Sequence, residues 1–150
     1  MQGLSEEYKK LQTKFDLPEL ESLHSVFQFD KDMTNLDDMR NEMTDKLFEF
    51  SENVVEPLLW CENHCHMIER NMLLADEGVT LFDIYKQVQA FKWRNNLLSL
   101  KPDKQESLVL IKDLWTFWTG FEPNMSKICR RFSNAWSNLS FKKEEVGYNG

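Results

Sequence analysis

Apolar residues recur every three or four positions along most of this 150-residue chain. This spacing puts them on one face of an α-helix and leaves the other faces polar. The clearest stripe belongs to a helix that Thr34 can cap and that Pro57 should kink or end. Its members are Leu36, Met39, Met43, Leu47, Phe50 and Val54. The pattern predicts an all-α fold.

Similar stripes predict helices on both sides of this one. Two short helices precede it, one with Ser5 as its N-cap and one that restarts at Pro18. Residues 61–79 are ambiguous between helix and loop, and Gly78 closes that segment. Thr80 then begins a long helix. Its core stripe is Leu81, Ile84, Val88, Phe91 and Leu98, widened by Tyr85 and Trp93.

The pattern predicts two further helices in the C-terminal third of the chain. Asp103 can cap the first of them, and Gly120 should end it. Pro123 should start the last helix, because proline is well tolerated in a first turn.

Helix 103–119 has apolar residues on two faces, which is more than one core contact uses. An apolar face left over by the core is typical of a protein–protein interface. We therefore expect a homodimer or a higher oligomer that buries part of Leu110, Leu114 or Phe117.

Composition supports one folded domain over residues 1–150. Hydrophobic residues make up 41% of the chain, while Gly and Pro number only 5 and 4, which favours helices over sheets joined by tight turns. We expect no membrane span, since no apolar run reaches about 18 residues. The three cysteines and the absence of a signal-peptide pattern predict a cytoplasmic protein. The polar tail 142–150 should fray.

The charge is uneven along the chain. Residues 1–79 carry 18 acidic against 7 basic side chains, a balance of −11, whereas residues 80–150 carry 7 against 11, a balance of +4. Complementary halves of one bundle would explain this difference. The alternative is a basic face that meets an acidic partner or a nucleic acid.

Cysteine and histidine are concentrated at one place. On a helix, Cys61, His64 and Cys65 would share one face, while His66 would point away. These side chains are zinc ligands, but a closed zinc site usually joins two separated ligand pairs, and this chain lacks the second pair. A metal site therefore remains an alternative to free thiols packed near a kink. We expect no cofactor, with Zn²⁺ as the alternative.

Aromatic residues between Trp115 and Trp136 accompany three basic side chains, Lys127, Arg130 and Arg131. Such a combination can stack and neutralise single-stranded nucleic acid. Aromatics at helical spacing more often form a core, so we do not expect nucleic acid as a partner. The chain contains no P-loop, dinucleotide-binding or zinc-protease motif, and we expect a protein without enzymatic activity.

Three segments carry a family resemblance: residues 16–23, residues 81–88, and the stretch from Trp115 to Trp136 with the lysine-bearing end that follows. In these segments and in its layout, the chain resembles a small uncharacterised all-helical protein family found in archaea. The resemblance implies an all-helical fold and a prokaryotic cytoplasmic setting. It supplies no catalytic residues, and it does not lead us to expect the cluster Cys61–His66.

The sequence therefore predicts a single-domain bundle of five to six largely antiparallel helices. The predicted function is a non-enzymatic protein–protein interaction or scaffold module that associates with itself. One alternative is a metal-binding protein that uses Cys61, His64, Cys65 and His66. The other is a weak nucleic-acid binder that uses the basic C-terminal helix.

Overall fold

A computed structural model describes residues 2–30, 33–61 and 63–139, with side chains from residue 6 onward. The expected polar tail 142–150 lies outside the described residues. The fold is all-α, as predicted. The helices are α1 (Gln2–Phe15), α2 (Leu20–Phe27), α3 (Leu36–Phe50), α4 (Glu56–Leu59), α5 (His64–Asn71), α6 (Glu77–Leu100) and α7 (Lys104–Ser137). Across the described ranges, no helix combines the length and the apolar character that crossing a membrane requires.

The centre of the bundle is formed by α3, α6 and α7. The turn 101–103 reverses the chain, so α6 and α7 lie antiparallel. Contacts on both sides of this turn show the alignment: Arg94 pairs with Asp113 at 2.7 Å, and one helical turn further away Phe91 packs on Phe117.

Helix α3 runs antiparallel to α6. Its first half meets the end of α6 through Arg40 and Asn95, whose side chains are 2.6 Å apart. Further along α3, Phe48 lies under the ammonium of Lys92 at 4.0 Å from the ring centroid. Most of the stripe predicted for α3 is buried: Leu36, Met39, Met43 and Leu47 have at most 6% of their surface exposed.

Ion pairs join the acidic half of the chain to the basic half. Glu7 of α1 pairs with Lys104 at 2.6 Å, and Asp16, just after α1, pairs with Lys112 at 2.8 Å. A third pair links Glu77 at the start of α6 to α7. These contacts support the interpretation that the two halves complement each other within one bundle.

Pro57 produces a helical irregularity. One turn of π-helix (Ser51–Val55) joins α3 to α4, and the N–H of Glu56 donates to the carbonyl of Ser51, five residues earlier. A regular turn before proline would bring its ring against a carbonyl and leave that carbonyl without a donor. The wider π turn accommodates Pro57, and the chain stays helical as far as Leu59.

Helix α7 begins as predicted, with Asp103 Oδ1 accepting the N–H of Glu106 at 3.0 Å. The predicted break at Gly120 is wrong, because α7 continues through Gly120 and Pro123 to Ser137. The buried stripe crosses both residues and includes Phe121, Met125 and Ile128. Burying each such side chain contributes about 1.5–3 kcal/mol, which together outweighs the roughly 3 kcal/mol that an interior proline costs.

Two other predicted helix starts are shifted. Helix α3 is capped by Asn35, one residue after Thr34, and the Asn35 side chain accepts the N–H of Asp38 at 2.9 Å. Helix α6 begins at Glu77, so Gly78 and Thr80 lie inside its first turns. The carboxylate of Glu77 accepts the N–H of Leu74, which holds the chain at the start of the helix.

Candidate functional site

The cysteine and histidine cluster spans a break between helices. Asn63 caps α5 by accepting the N–H of His66 at 3.0 Å. Cys61 precedes this cap and belongs to neither α4 nor α5. The condition for a shared helical face is therefore not met: His64 and Cys65 lie in the first turn of α5, and Cys61 lies outside it.

The environment of Cys61 disfavours a cation. Its thiol donates to the carbonyl of His66 at 3.6 Å, and the guanidinium of Arg70 is 3.9 Å from the sulfur. His64 and Cys65 are exposed. Across residues 2–30, 33–61 and 63–139, no three or more His, Cys, Asp or Glu side chains are arranged to hold a metal ion. Zinc binding at this cluster stays an alternative, without an assembled site in that part of the chain.

The residues predicted to form an interface on α7 are used inside the molecule. Leu110 and Leu114 have 0% of their surface exposed, and Phe117 packs between Phe91 and Phe121. Leu110 and Leu114 are thus covered by the chain itself, because α7 lies at the centre of the bundle, whereas Phe117 is only partly buried. The expectation that Leu110 or Leu114 contacts a second copy is corrected, and the contact of Phe117 stays a prediction.

The basic side chains on α7 are only partly available for phosphate. Both terminal nitrogens of Arg131 donate to Glu77, one of them at 2.9 Å, and one also donates to the carbonyl of Met72. The hydrogen bond from Arg131 lowers the pKa of Glu77 and raises the pKa of Arg131. Lys127 and Arg130 remain exposed on the same helix.

The aromatic run on α7 packs mainly inward. Trp118 lies against Phe27, Phe50 and Phe121, with ring centroids 5.3–6.3 Å apart. Trp136, near the end of the helix, donates its ring N–H to Glu69 at 3.1 Å. These contacts favour the interpretation that the aromatic run is part of the core, and not a surface that stacks on nucleic-acid bases.

An apolar exposed surface lies on the side of α6 that faces away from the core. Five large apolar side chains there are Val79, Phe82, Trp93, Leu97 and Leu100, with 67%, 44%, 67%, 61% and 86% of their surface exposed. Lys86, Gln89 and Ala90 lie between them on the same side of the helix. We call these eight residues the α6 outer face.

The sequence prediction missed this surface. Trp93 was expected to widen the core stripe, but it points into solvent. A second stripe was present in the sequence, because Val79, Phe82 and Lys86 are spaced by three and four, as are Trp93, Leu97 and Leu100. On α6 the chain itself covers only the stripe on the opposite side of the helix, which includes Leu81, Ile84 and Val88.

Trp60 extends the apolar surface at the N-terminal end of α6. Its ring packs on Tyr85 with a centroid distance of 4.7 Å and on Phe82 at 6.4 Å, and 45% of its surface is exposed. The extended backbone at Trp60, just after α4, directs the ring against α6. Trp60 and the α6 outer face therefore form one aromatic and aliphatic surface.

Comparison of this chain with protein-family models, with curated proteins and with solved structures found no match.

Proposed function

We propose that this chain is a non-enzymatic interaction protein that associates with itself, and that the α6 outer face is the contact surface between copies. The observation that carries the proposal is the exposure of five large apolar side chains on one side of a single helix. Soluble proteins rarely leave an apolar patch of this size uncovered unless it has a partner.

The area available matches a stable interface. With Trp60, the five apolar side chains of the α6 outer face expose about 800 Å², taking roughly 220 Å² for each fully exposed residue of this size. Each partner in a standard specific interface buries about 800 Å².

The surface is also rigid. The opposite side of α6 is packed into the core, and its inner residues Leu81, Ile84, Val88 and Phe91 are at most 4% exposed. Because the helix is already ordered, a partner that binds to it orders few further groups, which keeps the entropic cost of association low. Helix α6 thus combines a buried face that holds it in the bundle with an apolar face that a second copy can cover.

A comparison of two leucine variants by sedimentation and light scattering tests the proposal. The unmodified chain should be dimeric at about 100 µM, roughly a hundred times a micromolar dissociation constant. Leu97→Glu places a charge in the α6 outer face and should give a monomer. The matched control is Leu139→Glu, because Leu139 is 55% exposed, close to the 61% of Leu97, but lies after the end of α7.

Both substitutions are at exposed positions and should change the free energy of unfolding by less than about 0.5 kcal/mol. Circular dichroism and thermal unfolding therefore check that each variant is folded. A monomeric unmodified chain at this concentration would refute self-association, and a dimer that survives Leu97→Glu would refute the assignment to α6.

A further inference from the structure

The large side chains of the α6 outer face are placed symmetrically about its midpoint. Reading outward in both directions from the point between Gln89 and Ala90, a large or apolar residue on one side has a counterpart on the other. The matching positions are Val79 with Leu100, Phe82 with Leu97, and Lys86 with Trp93. Two such helices laid side by side in opposite directions bring every member of this pattern against its counterpart.

The charged residues beside the α6 outer face are placed symmetrically about the same midpoint. Asp76 and Asp83 are seven residues apart, and so are Arg94 and Lys101. The eleven residues from Asp83 to Arg94 are about three helical turns, so these two side chains lie on one flank of α6. Asp76 and Lys101 lie at the two ends of the helix, as its N-cap and its C-cap. The two acidic residues are thus on the side of its first half and the two basic residues on the side of its second half.

We infer that two copies of this chain pair through α6 in antiparallel orientation, about a two-fold axis that passes between Gln89 and Ala90. The inference rests on the proposed function, because it specifies how the α6 outer face meets a second copy. In this arrangement Asp76 lies near Lys101 of the second copy, and Asp83 lies near its Arg94, which also pairs with Asp113 of its own chain. The symmetry makes each of these contacts twice.

The parallel arrangement fails on the same residues. It would place Lys86 against Lys86 of the second copy in the middle of the contact, and facing like charges repel each other. In the antiparallel arrangement the two helix dipoles also lie side by side in opposite directions. The partial positive charge at the N-terminus of each helix is then close to the partial negative charge at the C-terminus of the other, which is favourable. A shift of one heptad in one direction would leave Val79 and Phe82 with nothing on α6 to face, and a shift in the other direction would leave Leu97 and Leu100 so, since α6 spans Glu77–Leu100.

Lys86 has an aromatic partner in the antiparallel pair. Its ammonium already lies 5.3 Å from the ring centroid of Phe82 and 2.8 Å from Asp83. Trp93 of the second copy would face it from the other side, and tryptophan is the preferred ring for a cation. Lys86 lies in the middle of an apolar contact, so it favours the register that places an aromatic ring opposite it over registers that do not.

Trp60 would contribute to the surface that contacts the apolar C-terminal end of α6 of the second copy. The second copy places Leu97 opposite Phe82, and the ring of Trp60 is already packed on Phe82. Leu100 is the most exposed large apolar residue in the described part of the chain, at 86%, and it would lie beside Val79 at the same end. Trp60 and α6 together would therefore form the surface that Leu97 and Leu100 of the second copy contact.

Cysteine cross-linking tests the orientation. The background carries Cys61→Ser, Cys65→Ser and Cys129→Ser, which is feasible because all three cysteines are free thiols and none is fully buried. Ala90→Cys lies next to the proposed axis, so two copies should form a disulfide-linked dimer on mild oxidation. Leu100→Cys alone should not link to itself, but a mixture of Leu100→Cys and Val79→Cys chains should give the mixed dimer.

The outcomes separate the two proposals. If Leu100→Cys links to itself and its mixture with Val79→Cys gives no mixed dimer, while the chain is dimeric, the antiparallel pairing is refuted and self-association stands. If the unmodified chain is a monomer at about 100 µM, the proposed function fails and the pairing fails with it.

Charge reversal gives a second readout that needs no cysteine. Asp76→Lys and Lys101→Asp should each raise the dimer dissociation constant about threefold to tenfold, since two exposed contacts are changed in each dimer. The double variant should return the constant close to its original value. A double variant that is weaker than either single variant would overturn the predicted contact between these two residues.

Discussion

Arg40 Nε donates a hydrogen bond of 2.6 Å to Asn95 Oδ1, and this contact joins α3 to α6 inside an otherwise apolar core. Both residues are at least 93% buried. The same guanidinium donates to Ser107 at 2.7 Å and to Asp37 at 2.9 Å, so it links all three central helices. Burial lowers the pKa of Arg40, and the carboxylate of Asp37 partly opposes this effect.

Removing Asn95 should be costly, because it leaves a buried guanidinium N–H without its acceptor. We expect Asn95→Ala to lower the free energy of unfolding by about 1–3 kcal/mol. Arg40→Ala should cost more, about 3–5 kcal/mol, since it strips several partners and leaves a cavity. Urea unfolding followed by circular dichroism measures both. Asn96→Ala is the matched control, because Asn96 is the exposed neighbour of Asn95 on the same helix; an equal loss in both variants would contradict a role for the Arg40 contact.

The continuous helix α7 can be tested at Gly120. Glycine inside a helix is destabilising by about 0.5–1 kcal/mol relative to alanine. A Cβ added at Gly120 would meet nothing within 4 Å, so Gly120→Ala should raise the free energy of unfolding by that amount. The sign of this change in the free energy of unfolding distinguishes a helix that continues through Gly120 from a helix that ends there. If the helix ended at Gly120 in a left-handed cap, as the sequence suggested, alanine would be strained there and stability would fall.

The fold class and much of the helical pattern could be predicted because core stripes at helical spacing are a local signal. The stripe from Leu36 to Leu47 is an example, since its spacing alone indicates the buried side. Breaks at Gly120 and Pro123 were predicted from local preference, and there the burial of Phe121 and Met125 outweighed it. The local sequence shows that an interior proline is unfavourable, but it does not show the packing that offsets this cost.

The candidate surface was harder to predict. Hydrophobic spacing placed apolar residues on both sides of helix 103–119 and of α6, and it does not tell which helix lies at the centre. Only the packing shows that Leu114 is covered and Leu97 is not. The geometry of the cluster at Cys61 could not be predicted for a related reason, because a shared helical face requires the helix to continue past Trp60, and α4 ends at Leu59.

The ion pair between Glu77 and Arg131 should make stability depend on pH. The hydrogen bond from Arg131 lowers the pKa of Glu77 below its unfolded value, which is about 4.3. The pair therefore stabilises the folded chain above that value, and this contribution is lost as the pH falls through the lower, folded pKa. We expect Glu77→Gln to lower the free energy of unfolding by about 1 kcal/mol at pH 7, after allowing for partial solvent screening.

The difference between Glu77→Gln and the unmodified chain should shrink as the pH is lowered from about 5, which thermal unfolding at a series of pH values measures. Asp83→Asn is the matched control, because its ion pair with Lys86 is exposed on both sides. Since Asp83 also flanks the proposed dimer contact, both variants are measured at a concentration low enough to keep the chain monomeric. A gap that stays constant from pH 7 to pH 2 would show that Glu77 contributes through packing and not through its charge.

Zinc should not stabilise the folded chain through Cys61 and Cys65. A bound cation at Cys61 would lie close to the guanidinium of Arg70, and the two thiols belong to different local structures, one before the cap of α5 and one within its first turn. A site with a micromolar dissociation constant would raise the free energy of unfolding by about 2.7 kcal/mol at 100 times that concentration of metal. Thermal unfolding with added Zn²⁺ and with a chelator should give the same midpoint, in the unmodified chain and in the double variant Cys61→Ser, Cys65→Ser. A zinc-dependent rise that disappears in the double variant would show that these cysteines form a metal site, and metal binding would then replace self-association as the first function to pursue.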